Sequence, residues 1–386
     1  MRSDTEIIDK ARKIILDSFI EGNEQPGFPE IIGRDRSTEW GGTISALHIL
    51  HNMVCTQQVD IAIDESIKGI IASQNKDTMA WGAGGVDLVE ATSEIVYYLS
   101  EDYSPFERHG LRESVEGAVE FVKSKYYKKG YYHSGAFSEK SEHTLYATFQ
   151  AVRALDKVNQ LSDDERSTIG TWIRSNRTAD GLWGDNNDSN QSSITHSIYA
   201  LLTLMYLEKN PNRIMKEFKK QIRMIFKSII SDNTYFYYEE YSIPTNESDS
   251  SGKEFKRIRI NHFVLPFAID LYLKIGDTAR ARILVERLKN IRYDGAWGLY
   301  QTFRTTWATQ QAIDALTGYQ NSKRPWMDVF TSFFLLLWHK YWYTVIIIAL
   351  LLIVFFIIWG SENAGYWCIS TVIGVVSGTL SNKITG

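Results

Sequence analysis

Two kinds of helical pattern alternate along this chain. In the first, apolar residues recur every three to four positions with charges between them. Ile7, Ile8, Ala11, Ile14, Ile15 and Phe19 do so near the N-terminus. Ile169, Trp172 and Ile173 repeat the pattern in DDERSTIGTWIRS, and Ile214, Met215, Phe218, Ile222, Ile225 and Phe226 in NRIMKEFKKQIRMIFKSII. That spacing predicts amphipathic helices with one face in water. In the second kind, as in SITHSIYALLTL, residues are apolar almost all round, which predicts helices buried on every side.

An aromatic residue, beside or near glycine at all but Tyr237, marks the approach to each buried helix: Trp40, Trp81, Tyr132, Trp183, Tyr237 and Trp297. Their spacing of roughly 40 to 60 residues sits at or slightly above the periods of repeat architectures. Each is followed by a stretch rich in Ser, Thr, Asn or Glu, suited to cap a helix N-terminus. The pattern predicts about six helical hairpins, each an outer amphipathic helix followed by an inner buried one. Closure into an all-α (α/α)6 toroid covers the inner helices better than an open solenoid does.

The last part of the chain reads differently. YWYTVIIIALLLIVFFIIW, residues 341–359, is uncharged, long enough to span a bilayer and flanked by aromatics. A weaker uncharged segment covers 365–380, where Ser370, Gly374 and Gly378 recur every four residues, a spacing that lets membrane helices pack closely. Residues 326–338 read as an interfacial helix. Lys323, Arg324 and Lys340 before the first segment and Lys383 after the second place both ends of such a hairpin in the cytoplasm. The expected division is a cytoplasmic toroid over 1–322 and a membrane domain over 323–386, located at a bacterial inner membrane.

A net charge of −4 provides no global attraction to nucleic acid or anionic lipid, so any such attraction is local. The two cysteines, Cys55 and Cys368, lie far apart and lack metal-ligand spacing. The N-terminal stretch has no continuous apolar core and is not read as a signal peptide.

The Gly/Trp turns DGLWGD and DGAWG, with the helices SITHSIYALLTL and TTWATQQAIDAL, resemble the α/α-toroid superfamily of terpene cyclases and protein prenyltransferase β subunits, over roughly residues 5–320. The resemblance implies a toroid with its site in the central cavity. The family's catalytic groups are incomplete. No Asp-x-Asp-Asp acid is present, the nearest run being Asp185-Asn-Asn-Asp188. THSIY resembles the stretch carrying the prenyltransferase zinc histidine and maps it to His196, but the preceding EHTLY has no Cys. No catalytic residue, metal or cofactor is therefore assigned.

The candidate ligand residues lie at the starts of inner helices. His143 and His196 each precede a tyrosine by three, Tyr146 and Tyr199, and His262 begins the next inner helix. They read as ligand contacts, as structural histidines bonded to carbonyls, or, if three converge, as a zinc site. Arg257, Arg259, Arg304 and Trp307 join them as a basic and aromatic rim suited to a nucleotide or single-stranded oligonucleotide. Glu94 and Glu142, also placed near helix starts, provide no identifiable carboxylate pair for sugar hydrolysis.

The functional expectation is a ligand-controlled membrane effector, in which a toroid sensing an anionic nucleotide gates a homo-oligomeric pore, with an operon-encoded partner. Its layout is similar to that of bacterial anti-phage effectors. The alternative is a membrane-anchored cyclase-like or prenyltransferase-like enzyme on an isoprenoid or lipid substrate.

Overall fold

The computed structural model describes residues 4–21, 26–33, 39–83, 86–100, 111–132, 144–184, 192–232, 235–244, 255–298 and 303–322. The expected membrane segments, with Ser370, Gly374 and Gly378, lie outside the described residues, as does His143.

The helices are α1 (Asp4–Leu16), α2 (Trp40–His51), α3 (Gln57–Ser73), α4 (Val89–Leu99), α5 (Leu111–Ser124), α6 (Thr144–Lys157), α7 (Asp163–Ser175), α8 (Ile194–Glu208), α9 (Pro211–Glu217), α10 (Lys219–Asp232), α11 (Val264–Lys274), α12 (Thr278–Asn290) and α13 (Thr306–Asn321). Of the caps expected before inner helices, Ser193 and Thr305 each accept a first-turn N–H, whereas Glu39, Leu88 and Phe263 make no side-chain cap. Among outer helices, the side chains of Thr56, Asn210 and Asp277 cap, and Ser162 with Glu165 forms a capping box. The long amphipathic pattern around Phe218 is split there, with α9 ending and α10 beginning.

Helices α2, α4, α6, α8, α11 and α13 pack side by side in chain order, and α13 returns against α2. The result is a closed inner ring. Helices α1, α3, α5, α7, α9, α10 and α12 lie against it from outside. The ring closes through the segment before α2: Thr306 N–H donates to the Glu30 carbonyl at 3.0 Å, and Ile32 N–H to that of Arg304 at 2.9 Å. The buried Thr306 hydroxyl donates to the Pro29 carbonyl at 2.6 Å. Thr306→Val keeps the shape but leaves that carbonyl without its donor. It should cost about 1–3 kcal/mol, read as a lower urea midpoint at unchanged slope.

A repeated backbone device sets each inner helix on its preceding turn. The N–H groups of Phe28, Trp81, Tyr132, Trp183 and Trp297 donate to the hydroxyls of Thr43, Thr92, Thr148, Ser197 and Thr309, at 2.9–3.1 Å. The carbonyls of Phe28, Trp81, Trp183, Tyr235 and Trp297 accept from the residue at the start of the following helix. Two of the aromatics picked out by sequence are therefore off register: the repeat positions are Phe28 and Tyr235, not Trp40 and Tyr237. Trp40 is the first residue of α2, and its indole donates to the Gly82 carbonyl. At Trp40 proximity to Gly41 singled out the wrong aromatic, because what defines the position is its backbone bonding. In the last repeat, Gly295 has φ +91°, and a Cβ on Gly298 would overlap the Phe303 carbonyl, so both require glycine.

Strands are few. Two short hairpins pair β1 (Gly82–Ala83) with β2 (Val86–Asp87) and β3 (Tyr126–Tyr127) with β4 (Tyr131–Tyr132). The third pairs β5 (Phe236–Pro244) with β6 (Phe255–Phe263) over nine residues each. It occupies the stretch that carries Arg257 and Arg259 of the expected basic rim. There FKRIRINHF alternates polar and apolar positions with the period of a strand. The fold is otherwise the expected all-α toroid.

Candidate functional site: the axis of the ring

At the N-terminal mouth, four of the sequence-named residues, Tyr146, His196, Tyr199 and His262, meet. The Tyr199 hydroxyl and His262 Nδ1 share a hydrogen bond of 2.8 Å. The Tyr146 ring packs 5.1 Å from that of Tyr199 and edge-on at 4.7 Å to His262. The Tyr146 hydroxyl accepts from Gln150 Nε2 at 2.8 Å. His196 lies 6.1 Å from His262, ring to ring, with its Nδ1 3.1 Å from the capping Ser193 hydroxyl. Tyr237, across from His262 in the hairpin register, stacks on it at 6.0 Å. Both histidines are buried, in a cluster built from α6, α8 and the β5–β6 hairpin. Among the described residues no three His, Cys, Asp or Glu side chains form a metal-holding group.

The basic residues are distributed differently. Arg259 pairs with Glu240 and Arg257 with Ser242, at register positions alternating with those of Ile260 and His262. Their side chains lie outside what is described. Arg304 binds Asp294 at 3.1 Å, holding its own turn together, and Trp307 is a partly buried residue packed on the core.

A second set of polar groups, on the same inner helices, surrounds a cavity of about 170 Å³ on the ring axis. Tyr97 and Tyr98 at the end of α4, Arg153 of α6, Tyr206 of α8, Phe267, Asp270 and Lys274 of α11, and Gln311 and Asp314 of α13 line it. Lone charged residues in otherwise apolar helices mark this site in the sequence: AVRAL, FAIDL and QAIDAL. Sequence reading passed over Arg153, Asp270 and Asp314 because a charge in a helix is ordinarily a solvated one. Glu94 stands midway along α4 and interacts with Arg153 through space.

Asp314 ties the ring together. Its Oδ1 lies 3.0 Å from His48 Nε2 of α2, and its Oδ2 accepts from Gln310. Gln310 in turn accepts from the Tyr98 hydroxyl at 3.2 Å, linking α4 to α13. Asp270 pairs with Lys274 at 3.7 Å, and 42% of its side chain is exposed, facing the cavity. Enclosure in the ring pushes its carboxyl above the ordinary aspartate range, opposed by Lys274 and Arg153 and reinforced by Asp314. Burial likewise raises the Glu94 carboxyl, opposed by Arg153. Burial pushes the Tyr97 and Tyr206 phenols up, so both stay protonated and can donate or accept. The arrangement provides carboxylates and hydroxyls converging on one small space, aromatic faces beside them, and a carboxyl that retains its proton to higher pH than free aspartate.

No protein-family model matches this chain. No curated protein matches it either. Among solved structures, it is similar to a family 76 glycoside hydrolase from a bovine Bacteroides thetaiotaomicron strain, at TM-score 0.56 and 11% identity, covering 83% of this chain and 78% of that one. It is also similar to an inactive variant of an α-1,6-mannanase from Salegentibacter sp. in complex with α-1,6-mannotetrose, at TM-score 0.52 and 10% identity, over 82% and 99% of the two chains. A sugar epimerase from a ruminal bacterium gives TM-score 0.52 and 10% identity, over 83% and 100%. At these identities the likeness establishes the α/α-toroid fold.

The expectation of a nucleotide-gated membrane effector, with an isoprenoid enzyme as alternative, is overturned. No helix of the described residues is long and apolar enough to cross a membrane, and the segments 341–359 and 365–380 lie outside them. The similar solved structures named above are a glycoside hydrolase, an α-1,6-mannanase and a sugar epimerase. The anti-phage likeness was one of layout, and layout does not carry function.

Proposed function

We propose that this toroid binds a small saccharide in its axial cavity, with Asp270 and Asp314 as the carboxylates that engage the sugar hydroxyls. One observation carries the reading: the inner helices bring carboxylates, phenols and an aromatic face around one enclosed space. A sugar ring presents hydroxyls at its edge and C–H groups on its faces. Carboxylates accept from the first, and aromatic rings such as Phe267 and Tyr97 pack on the second. The volume of about 170 Å³ is below the roughly 300–1,000 Å³ of pockets that hold drug-sized ligands, which suits one sugar unit rather than a polymer segment. The sugar-acting enzymes among folds of this shape support the same class of ligand. The raised carboxyl of Asp270 equips it to hold a proton beside a bound sugar.

The test is calorimetric titration of the full-length protein with a panel of neutral and acidic monosaccharides and with α-1,6-mannotetraose. At least one monosaccharide should bind more tightly than the tetrasaccharide. Asp314→Ala should weaken it by about tenfold or more, the loss of roughly one hydrogen bond to a charged group. A panel in which no saccharide binds would overturn the reading.

A further inference from the structure

Arg153 is out of place for a surface charge. It stands on α6 among Ala151, Val152, Ala154 and Leu155, all fully buried, and is itself only 6% exposed while lining the axial cavity. Its guanidinium lies 4.1 Å from the ring centre of Tyr97, 5.6 Å from that of Tyr98 and 5.4 Å from that of Phe149. Its Nε is buried without a hydrogen-bond acceptor. Glu94 and Asp270 act on it through space, but among the described residues neither forms an ion pair with it. An arginine stays charged at any accessible pH. Burying it on aromatic faces without a carboxylate partner is unfavourable, unless an acceptor arrives from outside.

We propose that Arg153 anchors a carboxylate group of the ligand, so that the saccharide this pocket takes is a sugar acid of single-ring size. The inference rests on the sugar reading above and names the ligand's charge. Rings packed against the guanidinium leave its N–H edge as the binding surface, and a planar two-oxygen acceptor matches that fork. The cavity's other charges limit the ligand to a single negative charge, held at the guanidinium. Arg153 and Lys274 face Asp270 and Asp314, with Glu94 nearby. A phosphate dianion would meet these carboxylates with more repulsion than one guanidinium offsets. The carboxylate on Arg153 leaves the sugar hydroxyls for Asp270 and Asp314 on neighbouring helices of the ring.

The experiment compares D-glucuronate and D-galacturonate with D-glucose and D-galactose, and with acetate and inorganic phosphate, by titration calorimetry on the full-length protein. At least one uronate should bind about 100-fold or more tightly than its neutral counterpart. Arg153→Met should remove that advantage, so that the uronate binds no more tightly than its neutral counterpart. It should not lower the melting temperature, because an apolar side chain replaces a buried unpaired charge. Arg153→Lys keeps the charge without the fork and should recover part of the preference, which guards against misfolding of the methionine variant. Equal binding of neutral and acidic sugars would overturn the Arg153 inference and leave the sugar reading standing. Acetate binding as tightly as the uronates would keep the carboxylate anchor and overturn the sugar reading. Phosphate binding with no uronate binding would overturn the proposal itself.

Discussion

Trp183→Ala is expected to cost this protein about 3–5 kcal/mol, the range for removing a large buried aromatic side chain. Trp183 is 1% exposed, so nearly all its apolar surface is lost from the core and a cavity is left behind. The ring also packs 5.5 Å from that of Phe218 in the outer layer. Its indole N–H donates to the Ile173 carbonyl at 2.7 Å, in the last turn of α7. The same bond recurs from Trp81 to Ile70 and from Trp297 to Leu288, so each indole ties an outer helix's end to the next inner helix's turn. Urea unfolding followed by far-UV circular dichroism measures the loss. Trp183→Phe separates the contributions: most of the volume stays, but the Ile173 carbonyl loses its donor, which should cost about 1–3 kcal/mol. Trp40→Ala, at a half-buried site, should cost less than Trp183→Ala. If the two alanine variants were equally stable, the repeat turn would not be the structural unit described here.

Asp270→Asn should move binding and stability in opposite directions. The amide matches the carboxylate in size but cannot offer a charged acceptor, so saccharide affinity should fall by roughly 10- to 100-fold. Stability follows from the direction of the carboxyl's shift. Enclosure raises the folded-state value above the unfolded one, so the folded protein holds this proton more tightly. Stability from this group is present below the ordinary aspartate value of about 3.9 and is lost as pH rises through the folded value. The asparagine variant has no such decline. Its melting temperature should exceed that of the parent at pH 7, and the difference should vanish towards pH 3.5. A thermal scan series across pH checks the sign. A variant that is less stable at pH 7 would mean that the Lys274 pair outweighs enclosure. Stability gained where binding is lost is the signature expected of a carboxylate kept for a ligand.

Much of the architecture was legible in the chain because helical periodicity is a local property. The contrast between DDERSTIGTWIRS and SITHSIYALLTL separates an outer helix from an inner one with no knowledge of neighbours, since the width of the apolar face reports how much of the helix is covered. The caps at Ser193 and Thr305 were legible for the same reason. The histidine and tyrosine cluster was half legible: THSIY and INHF are visible motifs, but only the ring brings His262 within 2.8 Å of the Tyr199 hydroxyl.

Repeat register, strand content and the axial site were decided elsewhere. Phe28 and Tyr235 take the turn positions through backbone bonds to residues up to 29 positions away. Asp314 is separated from His48 by 266 residues, and nothing near either residue announces the pairing. By itself the sequence determined which helices are inner and which outer, because burial of a helix face depends on residues three and four apart. Only the tertiary structure decided that Arg153, Asp270 and Asp314 face one another across a cavity. Their meeting depends on the ring closing through Pro29, Glu30 and Thr306, and long-range closure leaves no periodic trace in a chain.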